Sequence, residues 1–363
     1  MIKKPLIVHV ITNFDSVGGA EMMLSRLIQS TEDQYVHVII SLMKVSDLYQ
    51  STLDRCAAYY GLGWNGINTL GIVIRLRNLL KKLQPKIVQC WMYHANALTS
   101  LSVLGLKQKL NVIWGIHHSL ASYKDESIST KIALGINKIL STQPKAIIYC
   151  AYSSLEQHRA FGFNNINQQV IANGVFLDQF QPSTTLHQPV TIGFAGRYHP
   201  AKGYNYLFET MALLKDEDII FKVAGSGATL DNPEVKVLFE QHQLDAKKVH
   251  LLDQVSDMPN FYKSIDVLLM TSITEGFPNV LVEAMASGIP CISTDVGDAK
   301  YIVANDHYIV SPKDTDALKT AVLRYFHLPT DEKIRLKKIV RDRVESNFSI
   351  KNIYKEYSRI WND

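Results

Sequence analysis

The sequence predicts an α/β protein made of two doubly wound, Rossmann-like domains, and three observations carry that expectation. The chain has 363 residues, beyond the roughly 250–300 at which a single core stops growing. Short apolar runs alternate with helical periodicity from end to end, the pattern of parallel sheets covered by helices. The runs fall into two sets of six, one in each half. A composition of 47% hydrophobic and 20% charged residues excludes disordered, collagen-like and coiled-coil classes. A formal charge of +4 does not mark a nucleic-acid-binding protein.

In order, the runs of the first half are Leu6–Ile11, Val36–Leu42, Ile87–Trp91, Val112–Ile116, Ala146–Cys150 and Gln169–Ala172. Lys3 and Lys4 imitate a signal-peptide start. The run behind them is short, holds His9 and is followed by no small-residue cleavage site, so a first buried strand is predicted. The second half has Val190–Ala195, Ile219–Ala224, Val249–Leu251, Val267–Met270, Pro290–Ser293 and Tyr308–Val310. Gln181 to Pro189 has two prolines and no apolar periodicity, and reads as a linker. From Ser349 onward, Ile350, Ile353, Tyr354, Tyr357, Ile360 and Trp361 make one apolar helix face. The expected organisation is therefore a first domain over 1–180, a second over 189–347 and a helix over 348–363 packing back on the first. No window approaches the ~20 apolar residues of a membrane span. Cys56, Cys90, Cys150 and Cys291 have no C-x-x-C spacing and read as core thiols of a reducing compartment. The expectation is a cytoplasmic protein, free or held peripherally at the inner face of the membrane.

Glycines follow several runs. Gly18-Gly19-Ala20-Glu21 sits after the first strand and opens a helical pattern, which suits an anionic group or an ordinary tight turn. A G-x-G-x-x-G string at Gly61, Gly63 and Gly66 follows no clear strand and reads as a structural loop. In the second half, Gly196-Arg197 and Gly225-Ser226-Gly227 end the first two strands, where ligands of such sheets bind. Arg197 and Lys202 place a planar fork and a point charge before a helix, a pair suited to a diphosphate. Asp216-Glu217-Asp218 and Asp314-Thr315-Asp316 imitate a D-x-D metal motif. The first precedes a strand and the second a helix, so both read as structural, and no metal site is expected.

The sharpest segment runs from Thr274 to Pro290. Pro278 fits the first turn of a helix whose buried stripe is Leu281, Val282, Met285 and Ala286. Glu275 then lies before the helix and Glu283 about two turns along it. N–H groups near Phe277, Asn279 and Val280 are left for an anion. Two carboxylates separated by a phosphate-binding helix end can grip a sugar nucleotide. The alternative is that Glu275 caps the helix and Glu283 is a surface charge.

Glu275-x7-Glu283, within Glu-Gly-Phe-Pro-Asn-Val-Leu-Val-Glu-Ala-Met-Ala, resembles the E-x7-E signature of retaining glycosyltransferase family 4, of GT-B fold and bacterial polysaccharide type. Gly18-Gly19-Ala20-Glu21, Asn173-Gly174-Val175 and Gly196-Arg197 with Lys202-Gly203 resemble further segments of that family, in the same order. The resemblance implies two Rossmann-like domains facing a central cleft. It implies a retaining hexosyltransferase that moves a sugar from a nucleotide-sugar donor, UDP-linked, to a lipid-linked or saccharide acceptor in surface polysaccharide synthesis. By motif, Arg197 and Lys202 would neutralise the leaving diphosphate, Glu275 would contact the donor sugar and Glu283 the ribose. Gly18 or Gly19 would approach the phosphates. Gly196, Gly225, Ser226, Gly227 and Val255 would lie near base or diphosphate, with Phe277, Asn279 and Val280 forming the phosphate bed. His117, or His118 in the next register, would face the sugar, and Trp91 and Tyr93 would offer an acceptor platform with His118. No cofactor or metal is implied. Pro278 departs from the Gly or Ser of many members and removes one N–H from the bed. The same residues leave open another GT-B enzyme, such as a sugar-nucleotide epimerase, or a non-catalytic sugar-nucleotide-binding partner protein. An NAD oxidoreductase is disfavoured by the misplaced glycine fingerprint.

The modest charge hides an asymmetry. Up to Val175 there are 17 Lys plus Arg against 9 Asp plus Glu, and beyond it 21 against 25. Arg75, Arg77, Lys81 and Lys82 flank an apolar stripe of Ile72, Val73, Leu76, Leu79, Leu80 and Leu83. That pattern fits a basic amphipathic helix lying on an anionic membrane, and equally a surface helix packed on its sheet.

Overall fold

The computed structural model describes residues 4–16, 18–107 and 110–363. Lys3 of the signal-like start and Val17 of the first glycine loop lie outside the described residues. The chain divides into two compact units, one running to Gly174 and completed by Ile350–Asp363, the other spanning Val175–Ser349. The crossover thus falls at Gly174 rather than in the 181–189 stretch. That stretch belongs to the second unit, where Ser183 N–H donates to Ser287 O at 3.0 Å.

The first unit holds seven parallel strands: β1 (Leu6–Ile11), β2 (Val36–Ser41), β3 (Ala58–Gly61), β4 (Ile87–Trp91), β5 (Asn111–Ile116), β6 (Ala146–Tyr149) and β7 (Gln168–Val170). Their order is β3-β2-β1-β4-β5-β6-β7, so the chain reverses direction across the sheet beside β1. Strand β3 was not expected. It is an edge strand in which half-buried and exposed positions alternate, so it lacks the continuous apolar run of its neighbours. It also places the Gly61, Gly63 and Gly66 string after a strand, against the expectation. The loop is held by Asn65 and Asn68, whose side-chain oxygens accept from backbone N–H groups at 3.1 Å.

The closing helix Ile350–Asn362 packs on the helix Gly19–Thr31. It buries Ile350, Ile353, Tyr357, Ile360 and Trp361, at about 1.5–3 kcal/mol for each large apolar side chain. Trp361 Nε1 donates to buried Gln89 Oε1 at 3.2 Å.

A chain of polar groups runs through this otherwise apolar interior. Trp91 Nε1 can only donate, so His9 accepts on Nδ1 at 3.3 Å. Neutral His9 therefore carries its proton on Nε2 and donates to His37 Nδ1 at 3.0 Å. His37 Nε2 then donates to Thr31 Oγ1 at 2.9 Å, and the Thr31 hydroxyl donates to Leu27 O at 2.6 Å. Every member has one direction open to it.

The second unit holds β8 (Val190–Ala195), β9 (Ile219–Ala224), β10 (Val249–Leu251), β11 (Val267–Met270), β12 (Cys291–Thr294) and β13 (Ile309–Val310). All are parallel, in the order β10-β9-β8-β11-β12-β13. Here all six expected runs become strands, within a residue at their ends. Asp314 caps the helix Thr315–Phe326, accepting from Ala317 N–H at 2.9 Å. Among the described residues no helix is long and apolar enough to cross a membrane.

The histidine chain sets a pH dependence. Burial pushes His37 down to about 4, and burial together with His37 holds His9 well below its ordinary value. Both pKa values are depressed on folding, so the stabilisation is complete above the unfolded value and is lost as pH falls toward the folded one. Unfolding free energy should decline from about pH 6.5 to about pH 4, with His37 alone accounting for roughly 3 kcal/mol. Urea titrations across that window test this; a pH-independent midpoint would contradict it.

Candidate active site

The candidate donor residues gather at the carboxyl edge of the second sheet. Backbone bonds lace three strand-end loops together there. Gly196 N–H donates to Ala224 O and Tyr198 N–H to Ser226 O, both at 2.8 Å, and Gly225 N–H to Asp253 O at 2.7 Å. Gly227 N–H donates to Asp253 Oδ1 at 2.8 Å. Arg197 and Ser226 are exposed on this laced edge, and Val255 stands half-buried two residues beyond Asp253. Arg197 forms no ion pair with any of the described residues.

Lys202 ends a single 3-10 turn, Pro200–Lys202, and Gly203 follows with φ +67°. A Cβ on Gly203 would stand 2.1 Å from Thr271 O. The Thr271 hydroxyl lies within hydrogen-bond reach of the Lys202 and Gly203 carbonyls at 3.1 and 3.2 Å. The backbone carrying Lys202 is therefore clamped to the end of β11. Its Nζ lies 2.5 Å from Glu275 Oε1, and the same oxygen accepts from Ser272 Oγ at 2.7 Å. Two residues chosen separately from sequence form one partly buried ion pair, 73 positions apart.

Glu275 is held from behind. The turn at Gly297, φ +57°, lies so close that a Cβ would meet Gly276 O at 2.3 Å and Glu275 O at 2.8 Å. Asp298 N–H donates to Gly276 O at 3.2 Å. The following helix is Asn279–Ala286 with Pro278 at its N-cap. Asn279 and Val280 form its first turn, while Phe277 is buried before it with its ring 6.0 Å from that of Phe348. Glu283 is the fifth helical residue, about one turn in rather than two. It is buried, and Tyr262 Oη donates to its Oε2 at 3.3 Å. Thr271, Ser272 and Tyr262 were missed by the sequence reading; the hydroxyl pair directly after strand β11 was the available signal for two of them.

In the first unit, the helix Gly19–Thr31 starts behind Gly18. A Cβ on Gly18 would meet Glu21 Oε2 at 2.4 Å. The helix's own carboxylate thus stands against the glycine loop, and burial raises its pKa. His117 follows β5, its ring stacked on Trp91 at 5.1 Å between centroids. Burial pushes His117 down to about 4, the Asn173 side chain offsetting part of that shift, so the imidazole is neutral at neutral pH. The His117 backbone N–H, not the ring, points at Met92 Sδ, 3.4 Å away. Met92 itself has φ +74° and ψ 167°, a backbone region costly to any side chain. His118 turns elsewhere, with Nε2 2.7 Å from Glu126 Oε1.

The acceptor platform needs correction. Trp91 is 0% and Tyr93 2% exposed. Trp91 is locked by His9, and Tyr93 Oη pairs with His158 Nε2 at 2.7 Å. Neither ring presents a face to a ligand. Asn96, wholly buried with neither side-chain polar atom hydrogen-bonded, is the more unusual group of that segment.

A two-unit parallel α/β chain with a cation–carboxylate cluster at one sheet's carboxyl edge is the architecture of GT-B glycosyltransferases. The family model "Glycosyltransferase Family 4" matches residues 17–179, and "Glycosyl transferases group 1" matches 189–327. The chain belongs to glycosyltransferase family 4. It is 29% identical over 324 residues to the putative glycosyltransferase EpsF of Bacillus subtilis, covering 80% of this chain and 79% of that one. It is 26% identical over 200 residues to the Escherichia coli UDP-Gal:alpha-D-GlcNAc-diphosphoundecaprenol alpha-1,3-galactosyltransferase, and that match spans 50% of each chain. Among solved structures, Anabaena HepE in complex with UDP superposes with a TM-score of 0.83 at 16% identity, covering 97% of this chain and 98% of that one.

The Gly297 contact makes a prediction. Gly297→Ala strains a left-handed backbone and presses on Glu275, so it should destabilise by about 1–3 kcal/mol. Thermal denaturation measures the effect, and a wild-type melting temperature would refute the clamp.

Proposed function

We propose that the protein is a retaining, metal-independent glycosyltransferase. It transfers a hexose from a UDP-linked donor to a lipid-linked or saccharide acceptor in surface polysaccharide synthesis, working peripherally at the cytoplasmic membrane. The observation that carries the proposal is the Lys202–Glu275 pair at 2.5 Å, with exposed Arg197 on the adjoining loop.

Breaking the bond between the anomeric carbon and the diphosphate leaves an electron pair, and negative charge, on the leaving oxygen. Fixed cations stabilise that charge best because they need no reorganisation when it develops. Lys202 meets the requirement through its backbone clamp and its bond to Glu275, while the laced loops fix the backbone from which the exposed Arg197 side chain reaches. The two cations supply the charge that a metal ion supplies in other transferases. Glu275 anchors Lys202 through one oxygen and directs the carboxylate at donor-sugar hydroxyls. Glu283, at the wall of the helix Asn279–Ala286, takes the ribose hydroxyls, and the first turn at Asn279 and Val280 takes phosphate. Neutral His117 can accept a hydrogen bond from a sugar hydroxyl. The names of the relatives support the substrate classes: one is named for UDP-Gal and a diphosphoundecaprenol acceptor, and others for capsular and colanic acid biosynthesis.

Arg197→Ala and Lys202→Ala should each lower kcat/KM by about 10²–10³, the scale of losing one preorganised charge partner. Their melting temperatures should stay near wild type. Chelation should leave turnover unchanged, and NMR of the product should show the donor's anomeric configuration. Near-normal kcat/KM in both variants would remove the assigned roles, and an inverted product would exclude retention.

A further inference from the structure

We infer that one helical layer of the first unit is a docking face for an anionic lipid bilayer, with an isoleucine ridge as its inserting edge. The inference rests on the peripheral membrane reading above and assigns it a surface. The helix Tyr93–Val103 packs against both Thr69–Leu83 and Ile128–Leu140, so the three form one layer.

In the helix Ile128–Leu140 the buried residues are Ala133, Leu134 and Asn137. At 3.6 residues per turn, Ile128, Ile132 and Ile139 fall on the opposite ridge. They are 78%, 60% and 79% exposed. The most water-facing line of this helix is therefore its most apolar one, the reverse of a surface helix whose apolar face only packs inward. The helix Thr69–Leu83 repeats the arrangement: Ile72, Leu76 and Leu80 are buried, and Leu70 and Ile74 stand exposed on the far side. Isolated exposed apolar residues are ordinary, but two such ridges on one layer are a patch that marks an interaction surface.

The charge of the layer selects the partner. Its three helices carry Arg75, Arg77, Lys81, Lys82, Lys131 and Lys138, and not one Asp or Glu. Lys138 Nζ lies over the Phe161 ring at 5.3 Å, and Lys131 Nζ donates to Lys124 O at 2.7 Å. None of the six forms an ion pair with a described carboxylate. A second copy offering the same face would oppose cation to cation. An anionic bilayer answers both features, since apolar side chains enter the headgroup boundary while lysines pair with lipid phosphates.

Flotation with vesicles of phosphatidylcholine, with or without phosphatidylglycerol, tests the assignment. Wild type should float only with the anionic vesicles. The full chain carrying Ile128→Ser, Ile132→Ser and Ile139→Ser, or Lys81→Glu, Lys82→Glu and Lys138→Glu, should lose roughly tenfold or more in partition. All substituted positions are solvent-facing and outside the donor site, so UDP affinity and melting temperature should hold. Wild type binding neither vesicle would overturn the membrane reading and this surface together. Wild type floating while both variants float equally well would leave the membrane reading standing and overturn only this surface. A wild-type dimer in sedimentation, dissociated by the isoleucine variant and indifferent to vesicles, would make the face a self-association site instead.

Discussion

The candidate donor site depends on close backbone approach at the carboxyl edge of the second sheet. At Gly203 the chain lies against the Thr271 carbonyl, and at Gly297 against the Glu275–Gly276 carbonyls, leaving no room for a Cβ at either. Those contacts fix the backbones that carry Lys202 and Glu275, and the ion pair follows from them. A lysine on a free loop would lose the rotamer entropy of a long side chain on pairing and contribute little. With the backbone of Lys202 clamped to Thr271, no loop ordering is added to that loss, and the charge is in place before any substrate arrives.

The first unit meets a different constraint, that of burying polar rings without losing their hydrogen bonds. Trp91, His9, His37 and Thr31 satisfy one another in a single direction across three strands and a helix. The indole fixed in this way is the surface on which His117 stacks. The orientation of the one imidazole assigned to sugar recognition is thus set by groups deep in the interior. The neutrality imposed on His9 and His37 by burial is a condition of the arrangement, because a second proton on either ring leaves two donors facing each other.

The fold was largely legible because strands buried on both faces are predominantly apolar, and β6 and β11 announce themselves that way most plainly. Strand β3 did not, since an edge strand with one covered face alternates, and Ala58-Tyr59-Tyr60-Gly61 is too short to show a period. The crossover was misplaced for a related reason. Pro182 and Pro189 are a local signal, whereas the division at Gly174 is set by distant partners, Arg26 on the Gly174 carbonyl and Phe348 O on the Val175 N–H. In the site, Arg197, Lys202, Glu275 and Glu283 could be picked out individually because each stands at a strand end or inside a buried helix. The Lys202–Glu275 pairing could not. Trp91 and Tyr93 were read as a platform because aromatics at strand ends are often exposed. Their polar partners, 82 and 65 residues away, are what allow them to be interior.

The charge asymmetry between the two halves takes on physical meaning from these placements. A unit that binds a nucleotide diphosphate can be acidic overall, provided its few cations are fixed at the phosphate site, and Arg197 and Lys202 are both at one sheet edge. Of the 17 Lys plus Arg in the other half, the helices Thr69–Leu83 and Ile128–Leu140 hold six on a single layer. Long-range attraction falls off within about a Debye length, ~8 Å at physiological ionic strength. Charges confined to one layer, interleaved with exposed isoleucines, act on whatever lies flat against them. An extended anionic surface engages all of them at once, whereas a small soluble acceptor can meet only one or two. The distribution of charge therefore suits an extended anionic surface better than a small soluble anion, on grounds independent of the donor chemistry.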